Sequence, residues 1–221
     1  MFTGFPAYPR FRTLHLTNPM QRGEDVYALQ TALNEAGYNS GTADGILGSQ
    51  TSAAIHRAQV DLNLLDDGKA GGLTQRALAL SLAGRVARVT GVPANAFKGQ
   101  LELESGYWLG NYSPLRADGT YDAGVCQRNT KFTSPQVGFD ASKSIMALGD
   151  EVKKHYDLFL GVSGAKRRWA LAQGAWNAPA FACYIAREEG ATQVTAGMTL
   201  KPSAEARATF EEYVANASVY L

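Results

Sequence analysis

Apolar residues recur three and four positions apart along the first part of the chain. Over residues 24–36 they mark one face of a helix, and Gly37 follows where a helix-ending glycine belongs. The same spacing predicts a second helix over residues 52–62 and a third that begins near Gln75. The pattern therefore predicts a compact three-helix unit over roughly residues 14–80.

Helical spacing continues beyond this unit. Residues 80–89 have the pattern of a further helix, which the Thr-Gly-Val-Pro sequence at 90–93 interrupts. No linker rich in proline or serine follows. We therefore expect a boundary near residue 81, with domains over 1–80 and 81–221, and a mainly α fold in which β structure is minor.

A short motif occurs twice within the first unit. Residues 44–51 and 67–74 both have the pattern D-G-x-x-G-x-x-T, offset by 23 positions. Each copy predicts a turn that glycine permits, followed by a threonine (Thr51 or Thr74) that caps the next helix.

This arrangement resembles the peptidoglycan-binding module of bacterial and phage cell-wall hydrolases, and the resemblance covers the whole unit. It implies that the turns line a shallow groove for a peptide-bearing sugar, with Tyr38, Asp44 and Asp67 as candidate contacts. The resemblance rests on these positions: Gly23, Asp25, Val26, Leu29, Gln30, Leu33, Gly37, Tyr38, Asp44, Gly45, Gly48, Thr51, Gln59, Leu65, Asp67, Gly68, Gly71 and Thr74.

A second set of candidate chemistry begins with two acids near the end of a helix predicted from residue 95 to about Gly106. At about 100° per residue, Glu104 lies within roughly 20° of Phe97 and one turn past Leu101, whereas Glu102 is about 200° from Glu104. A carboxyl on the apolar face is desolvated, which raises its pKa and keeps it protonated near neutrality. Glu104 is therefore the candidate general acid for glycosidic cleavage.

Three segments resemble the lysozyme-like superfamily, which includes goose-type and chicken-type lysozymes and lytic transglycosylases. They are Glu-Ser-Gly at 104–106, Asp-Ala-Gly-Val-Cys-Gln at 122–127, and Ala-Leu-Ala-Gln-Gly-Ala-Trp-Asn-Ala-Pro at 170–179. The resemblance implies a lysozyme-like domain with Glu104 as the acid. It also implies that Asp122 stabilises or attacks the anomeric carbon, as the corresponding aspartate of chicken-type lysozymes does.

The same resemblance implies a set of substrate-binding residues. Amide side chains at the cleft floor would bind an N-acetyl group, aromatic rings would stack on pyranose faces, and a serine would face the cleft. These candidates are Gln127, Asn129, Tyr112, Trp176, Asn177 and Ser113. The sequence departs from the transglycosylase pattern in having Trp176 in place of tyrosine and Pro179 where glycine is common.

The number of carboxylates in the cleft distinguishes two mechanisms. Hydrolysis normally uses one protonated and one ionised carboxyl, so Asp122 favours a hydrolytic muramidase, with Asp118 as a second choice. Lytic transglycosylases work with one glutamate because the N-acetyl group of the substrate captures the developing cation. Asp122 could instead only stabilise a turn, which would leave Glu104 alone.

Composition narrows the function classes. The chain has 21 basic and 20 acidic residues, a net charge of +1, and 45% hydrophobic residues. This balance argues against a nucleic-acid binder and a polybasic membrane anchor, and no stretch reaches the roughly 18 consecutive apolar residues of a spanning helix. Two cysteines and three dispersed histidines indicate neither a disulfide framework nor a metal site, and we expect no cofactor and a monomer.

Two other classes remain open. A cysteine amidase or endopeptidase would use Cys126 and His155, and a wall-binding protein with an inactive lysozyme-like domain would not use Glu104. The favoured prediction is a phage endolysin that cleaves peptidoglycan. Because the sequence has no visible secretory signal, we expect it in the host cytoplasm before lysis and then at the bacterial cell wall. A virion-associated lysin would have the same sequence features.

Overall fold

The computed structural model describes residues 5–221. The fold is mainly helical, as predicted. The contacts between residues divide the chain into two units, one formed by residues up to 85 with 104–145 and the other by 86–103 with 146–221. This division by contacts differs from the predicted boundary near residue 81, which stays a prediction.

Helices make up most of the described chain, and the strands are very short. The helices are α1 (Glu24–Ala36), α2 (Ser49–Asp61), α3 (Gly72–Thr90), α4 (Ala94–Ser105), α5 (Pro135–Phe139), α6 (Ala141–Leu158), α7 (Ala165–Gly174), α8 (Pro179–Glu188) and α9 (Ala204–Ala217). The strands are β1 (Asp122–Ala123) and β2 (Arg128–Asn129), and a 3₁₀ turn covers Ala196–Met198.

The first helix forms as predicted, and the next two begin earlier. Helix α1 ends at Gly37, whose φ of 96° is left-handed, as expected for a C-terminal glycine cap. Helices α2 and α3 each begin three residues before the predicted start, at Ser49 and Gly72, and α3 runs without interruption to Thr90. Both repeat threonines therefore lie inside the first helical turn, so their predicted role as helix caps is wrong.

In the first unit, a small antiparallel ribbon follows α4. Strands β1 and β2 pair with Asp122 opposite Asn129, and Tyr112 forms an isolated bridge to Ala123 on the other side of β1. The turn between the strands packs closely on α5, because a Cβ on Gly124 would lie 1.9 Å from a backbone oxygen of that helix. Gly124 has a φ of 78°, so this residue must be glycine for two reasons.

The segment before the three-helix unit packs on this ribbon. The ring of Tyr112 contacts the rings of Phe5 and Tyr8 edge-on, with centroids 5.1 and 5.4 Å apart. Farther along the segment, the Arg12 guanidinium donates two hydrogen bonds, of 2.6 and 2.9 Å, to the buried Asp25 carboxylate at the start of α1. The N-terminal segment therefore links α1 to the ribbon within one unit.

The second unit is built on close packing of α7 against α8 and α9. Gln173, buried in α7, donates hydrogen bonds from Nε2 to the backbone oxygens of Ala96 (2.8 Å) and Ala217 (3.0 Å). Arg167 pairs with both Glu189 and Glu211, at 2.7 and 2.8 Å. Within residues 5–221, no helix combines the length and apolar character needed to cross a bilayer.

Candidate functional site

The first repeat is organised by a buried glutamine of α1. Gln30 is 1% exposed, and its Oε1 accepts hydrogen bonds from the backbone N–H groups of Asp44 (3.1 Å) and Gly45 (2.8 Å). Its Nε2 lies 3.1 Å from each of three acceptors, the Asp44 carboxylate, the Ile46 carbonyl and the Thr51 hydroxyl. One amide therefore holds the whole turn.

The second repeat uses the same arrangement with a glutamine of α2. Gln59 is also 1% exposed, and its Oε1 accepts the Gly68 N–H at 2.8 Å. Its Nε2 lies 2.8 Å from the Asp67 carboxylate, 3.1 Å from the Lys69 carbonyl and 3.2 Å from the Thr74 hydroxyl. The repeat is therefore a glutamine clamp on an Asp-Gly turn, and the threonine is one of its partners.

The three predicted peptidoglycan contacts do not lie in one groove. Tyr38 is half-buried and lines a groove of about 460 Å³ with His56, Arg57 and Val60, which we call the Tyr38 groove. Asp67 lines a different groove of about 340 Å³, which we call the Asp67 groove. Asp44 is exposed, and its Oδ1 accepts a hydrogen bond from the backbone of its own turn, at the Ile46 N–H (2.9 Å).

Glu104 lies in the last turn of α4. It is half-buried, whereas Glu102 is exposed and accepts a hydrogen bond from the Tyr220 hydroxyl at 2.9 Å. Phe97 and Leu101 of the same helix are buried, so the two glutamates differ as the helical spacing predicts.

The charge of Glu104 acts on the turn between β1 and β2. Cys126 lies in that turn and is fully buried, and its pKa is raised mainly by burial and next by the negative charge of Glu104. Arg128 and a hydrogen bond with Ser144 act in the opposite direction. Glu104 therefore lies close enough to Cys126 for its charge to act on the thiol. A thiol with a raised pKa is also a poor nucleophile, which argues against cysteine catalysis.

Asp122 is held by three neighbouring residues. Arg116 donates two hydrogen bonds to its carboxylate, 2.5 Å to Oδ2 and 3.2 Å to Oδ1, and the Asn129 amide donates a third of 2.9 Å. Ser113 pairs with the Asp122 backbone, since its N–H donates to the Asp122 carbonyl and its Oγ accepts the Asp122 N–H. Ser113, Asp122 and Asn129 are thus brought together.

Two other predicted residues serve the local structure of the first unit. Gln127 has a φ of 49°, and its Nε2 donates to the carbonyl of Gly124 at 2.8 Å within the same turn. Tyr112 is only 6% exposed, and its hydroxyl donates to the backbone oxygen of Tyr8. The prediction of Tyr112 as a sugar-stacking residue is therefore wrong, because aromatic side chains cover its ring.

Trp176 and Asn177 belong to the second unit. Trp176 is half-buried and Asn177 exposed, just after α7. Asn177 lines a groove of about 460 Å³ together with Phe181, Phe210 and Tyr213.

Sequence reasoning missed Arg116 and the clamp role of the two glutamines. Arg116 precedes Asp122 by six residues across an Asp-Gly turn, and charges that meet across a turn leave no periodic pattern. The glutamines could have been found from the repeat, since each precedes its Asp-Gly pair on the preceding helix. Within residues 5–221, no group of three histidine, cysteine or acidic side chains is arranged to hold a metal ion.

Comparison with known protein families gives a match to the first part of the chain. The family model described as "Putative peptidoglycan binding domain" matches residues 22–78, which include both clamps and α1, α2 and the start of α3. No curated protein matches the chain. The match supports a cell-wall-binding module at this end of the chain, with peptidoglycan as its partner.

Proposed function

We propose that this protein cleaves the β-1,4 bond between N-acetylmuramic acid and N-acetylglucosamine in peptidoglycan, with Glu104 as the general acid. The observation that carries the proposal is the half-buried position of Glu104 in the last turn of α4, the helix whose Phe97 and Leu101 are buried. Two-carboxyl glycoside hydrolysis uses one protonated and one ionised carboxyl group, and we assign these roles to Glu104 and Asp122.

The proposed reaction begins with Glu104 protonated. Its proton passes to the glycosidic oxygen, the bond from that oxygen to C1 of the muramic acid breaks, and positive charge develops at C1. The ionised Asp122 stabilises this charge. Glu104, now ionised, accepts a proton from a water molecule that adds to C1, which restores the acid and leaves a new reducing end.

The Arg116–Asp122 ion pair favours a second candidate, lytic transglycosylation. A carboxylate that already accepts three hydrogen bonds is a weaker partner for a cation at C1. In that reaction Glu104 acts alone, and the C6 hydroxyl of the muramic acid attacks C1 to give a 1,6-anhydro product. Hydrolysis remains our proposal, because Arg116 is 44% exposed and solvent therefore screens its charge.

The peptidoglycan-binding domain supports this proposal because it keeps the glycan substrate close to the cleaving site. A domain that binds the wall raises the local concentration of glycan around any cleaving site on the same chain. We propose that the protein is a phage endolysin, made in the host cytoplasm and acting at the bacterial cell wall as a monomer.

The test is the chemistry of the new ends in purified sacculi. Mass spectrometry of the soluble products should detect muropeptides with a free reducing end. Products with 1,6-anhydro ends would replace hydrolysis by transglycosylation. Sacculi that bind the protein but gain no new saccharide ends would overturn the proposal and leave a wall-binding protein.

A further inference from the structure

The two copies of the repeat share a scaffold but differ in what they expose. In both, a buried glutamine accepts the N–H of the turn glycine and donates to the carbonyl of the residue that follows it. Six of the ten positions differ between residues 42–51 and 65–74. At three of them, whose side chains take no part in the clamp, Thr42, Ile46 and Gln50 of the first copy correspond to Leu65, Lys69 and Leu73 of the second. The first copy therefore serves as an internal control for what folding alone requires.

The second copy exposes apolar surface that folding does not explain. Leu65 is 80% and Leu73 74% exposed, and both line the Asp67 groove. Single exposed leucines are common on protein surfaces, but two along one groove form an apolar contact surface. The first copy carries threonine and glutamine at these positions and forms the same turn.

The same groove also carries one acid and one base. The Asp67 carboxylate accepts hydrogen bonds from the Lys69 N–H (2.9 Å) and from Gln59, and these two bonds lower its pKa. Oδ1 of Asp67 accepts both hydrogen bonds, and Oδ2 accepts neither of the two. The Lys69 side chain is exposed and lines the groove beside it.

We propose that the Asp67 groove binds the stem peptide of peptidoglycan, and not its glycan strand. The stem peptide alternates alanine methyl groups with carboxylates and the free amino group of a diamino acid. Asp67 pairs with that amino group, Lys69 pairs with a carboxylate, and Leu65 and Leu73 cover the methyl groups. None of the residues that line the groove is aromatic, whereas aromatic rings are the usual platform for a pyranose face.

This inference rests on the peptidoglycan-binding function and adds the part of the polymer that is recognised. The test titrates the full chain with a soluble stem tetrapeptide, Ala–γ-Glu–diamino acid–Ala, with lysine or meso-diaminopimelate as the diamino acid. The triple variant Leu65→Thr, Lys69→Ile, Leu73→Gln carries the side chains of the first copy, so its turn should still form. We expect its Kd to rise at least tenfold, whereas Thr42→Ala with Gln50→Ala should leave the Kd within twofold.

A second variant isolates the charge. Asp67→Asn keeps an acceptor oxygen for the turn but removes the negative charge. Acetylating the free amino group of the tetrapeptide should weaken binding to the natural chain about as much as Asp67→Asn weakens binding of the free peptide. Acetylation should have little further effect on the variant, because the lost interaction is the same.

The outcomes separate this inference from the proposed function. Equal affinity of the triple variant and the natural chain for the tetrapeptide would overturn the inference. So would binding to glycan strands stripped of peptide with none to the tetrapeptide, although wall binding would stand. Failure of the natural chain to bind whole sacculi would overturn both.

Discussion

The clamp on the first turn allows a quantitative prediction for Gln30→Leu. Leucine has a similar size but cannot donate or accept hydrogen bonds, so the turn loses its whole set of bonds to the side chain. The Thr51 hydroxyl keeps a bond to the backbone oxygen of Ser40, and Asp44 is exposed, so water can replace part of the loss. The Gly45 N–H is buried and loses its acceptor.

An unsatisfied buried amide costs about 1–3 kcal/mol, and loosening of the turn adds to this cost. We therefore expect Gln30→Leu to lower the free energy of unfolding by about 2–4 kcal/mol. Gln59→Leu should cost less, about 1–3 kcal/mol, because two of the three acceptors of its amide belong to the exposed residues Asp67 and Lys69.

The assay is equilibrium unfolding in urea followed by far-ultraviolet circular dichroism, with hydrogen exchange at the Gly45 amide as a local probe. Gln50→Leu, in the exposed first turn of α2, is the matched control and should stay within about 0.5 kcal/mol. If Gln30→Leu also stays within 0.5 kcal/mol and Gly45 keeps its protection, the glutamine does not hold the turn.

Three further predictions concern the first unit. Arg12→Met leaves the buried Asp25 carboxylate without its cation, which should cost about 3 kcal/mol of unfolding free energy in urea; no loss would mean that the pair is not formed. Gly124→Ala should prevent folding or cost more than about 3 kcal/mol by the same assay, whereas Gly119→Ala, with a similar φ but open space around it, should cost only about 1 kcal/mol. Iodoacetamide at pH 8 should leave Cys126 unmodified, by mass spectrometry, until the protein is unfolded; rapid native alkylation would contradict its burial and raised pKa.

Periodicity in the sequence was enough to predict α1 to α4 but not the details of their starts, and α5 to α9 were not predicted. Helix α1 was predicted with its bounds because an amphipathic stretch ends at a glycine. Helix α2 begins earlier than predicted because Gly48 takes the N-cap position, and Thr51 bonds to partners distant in sequence. The local sequence around Thr51 is the same whether its hydroxyl caps the helix or bonds to the clamp glutamine. Only the long-range contact to Gln30 distinguishes these two roles.

For the candidate site, the sequence likewise predicted features that depend on one helix but not those that depend on contacts between distant residues. The helical angle between Glu102 and Glu104 predicts which one is shielded, because it depends only on residues of one helix. The burial of Tyr112 was not predictable, since it depends on packing of Tyr8, more than 100 residues earlier, against its ring. The ion pair of Asp122 likewise depends on a turn whose geometry the sequence pattern does not fix.

The most direct test of the account is the rate at which purified sacculi lose turbidity with three proteins, the natural chain, Glu104→Gln and Glu102→Gln. Both variants replace one carboxyl group with an amide at the same helix end, and circular dichroism should verify that both fold. We expect Glu104→Gln to lower the rate at least about 100-fold, because general acid catalysis contributes about 10²–10⁴-fold, and Glu102→Gln to stay within about twofold. Equal clearing by the natural chain and Glu104→Gln would contradict the central claim.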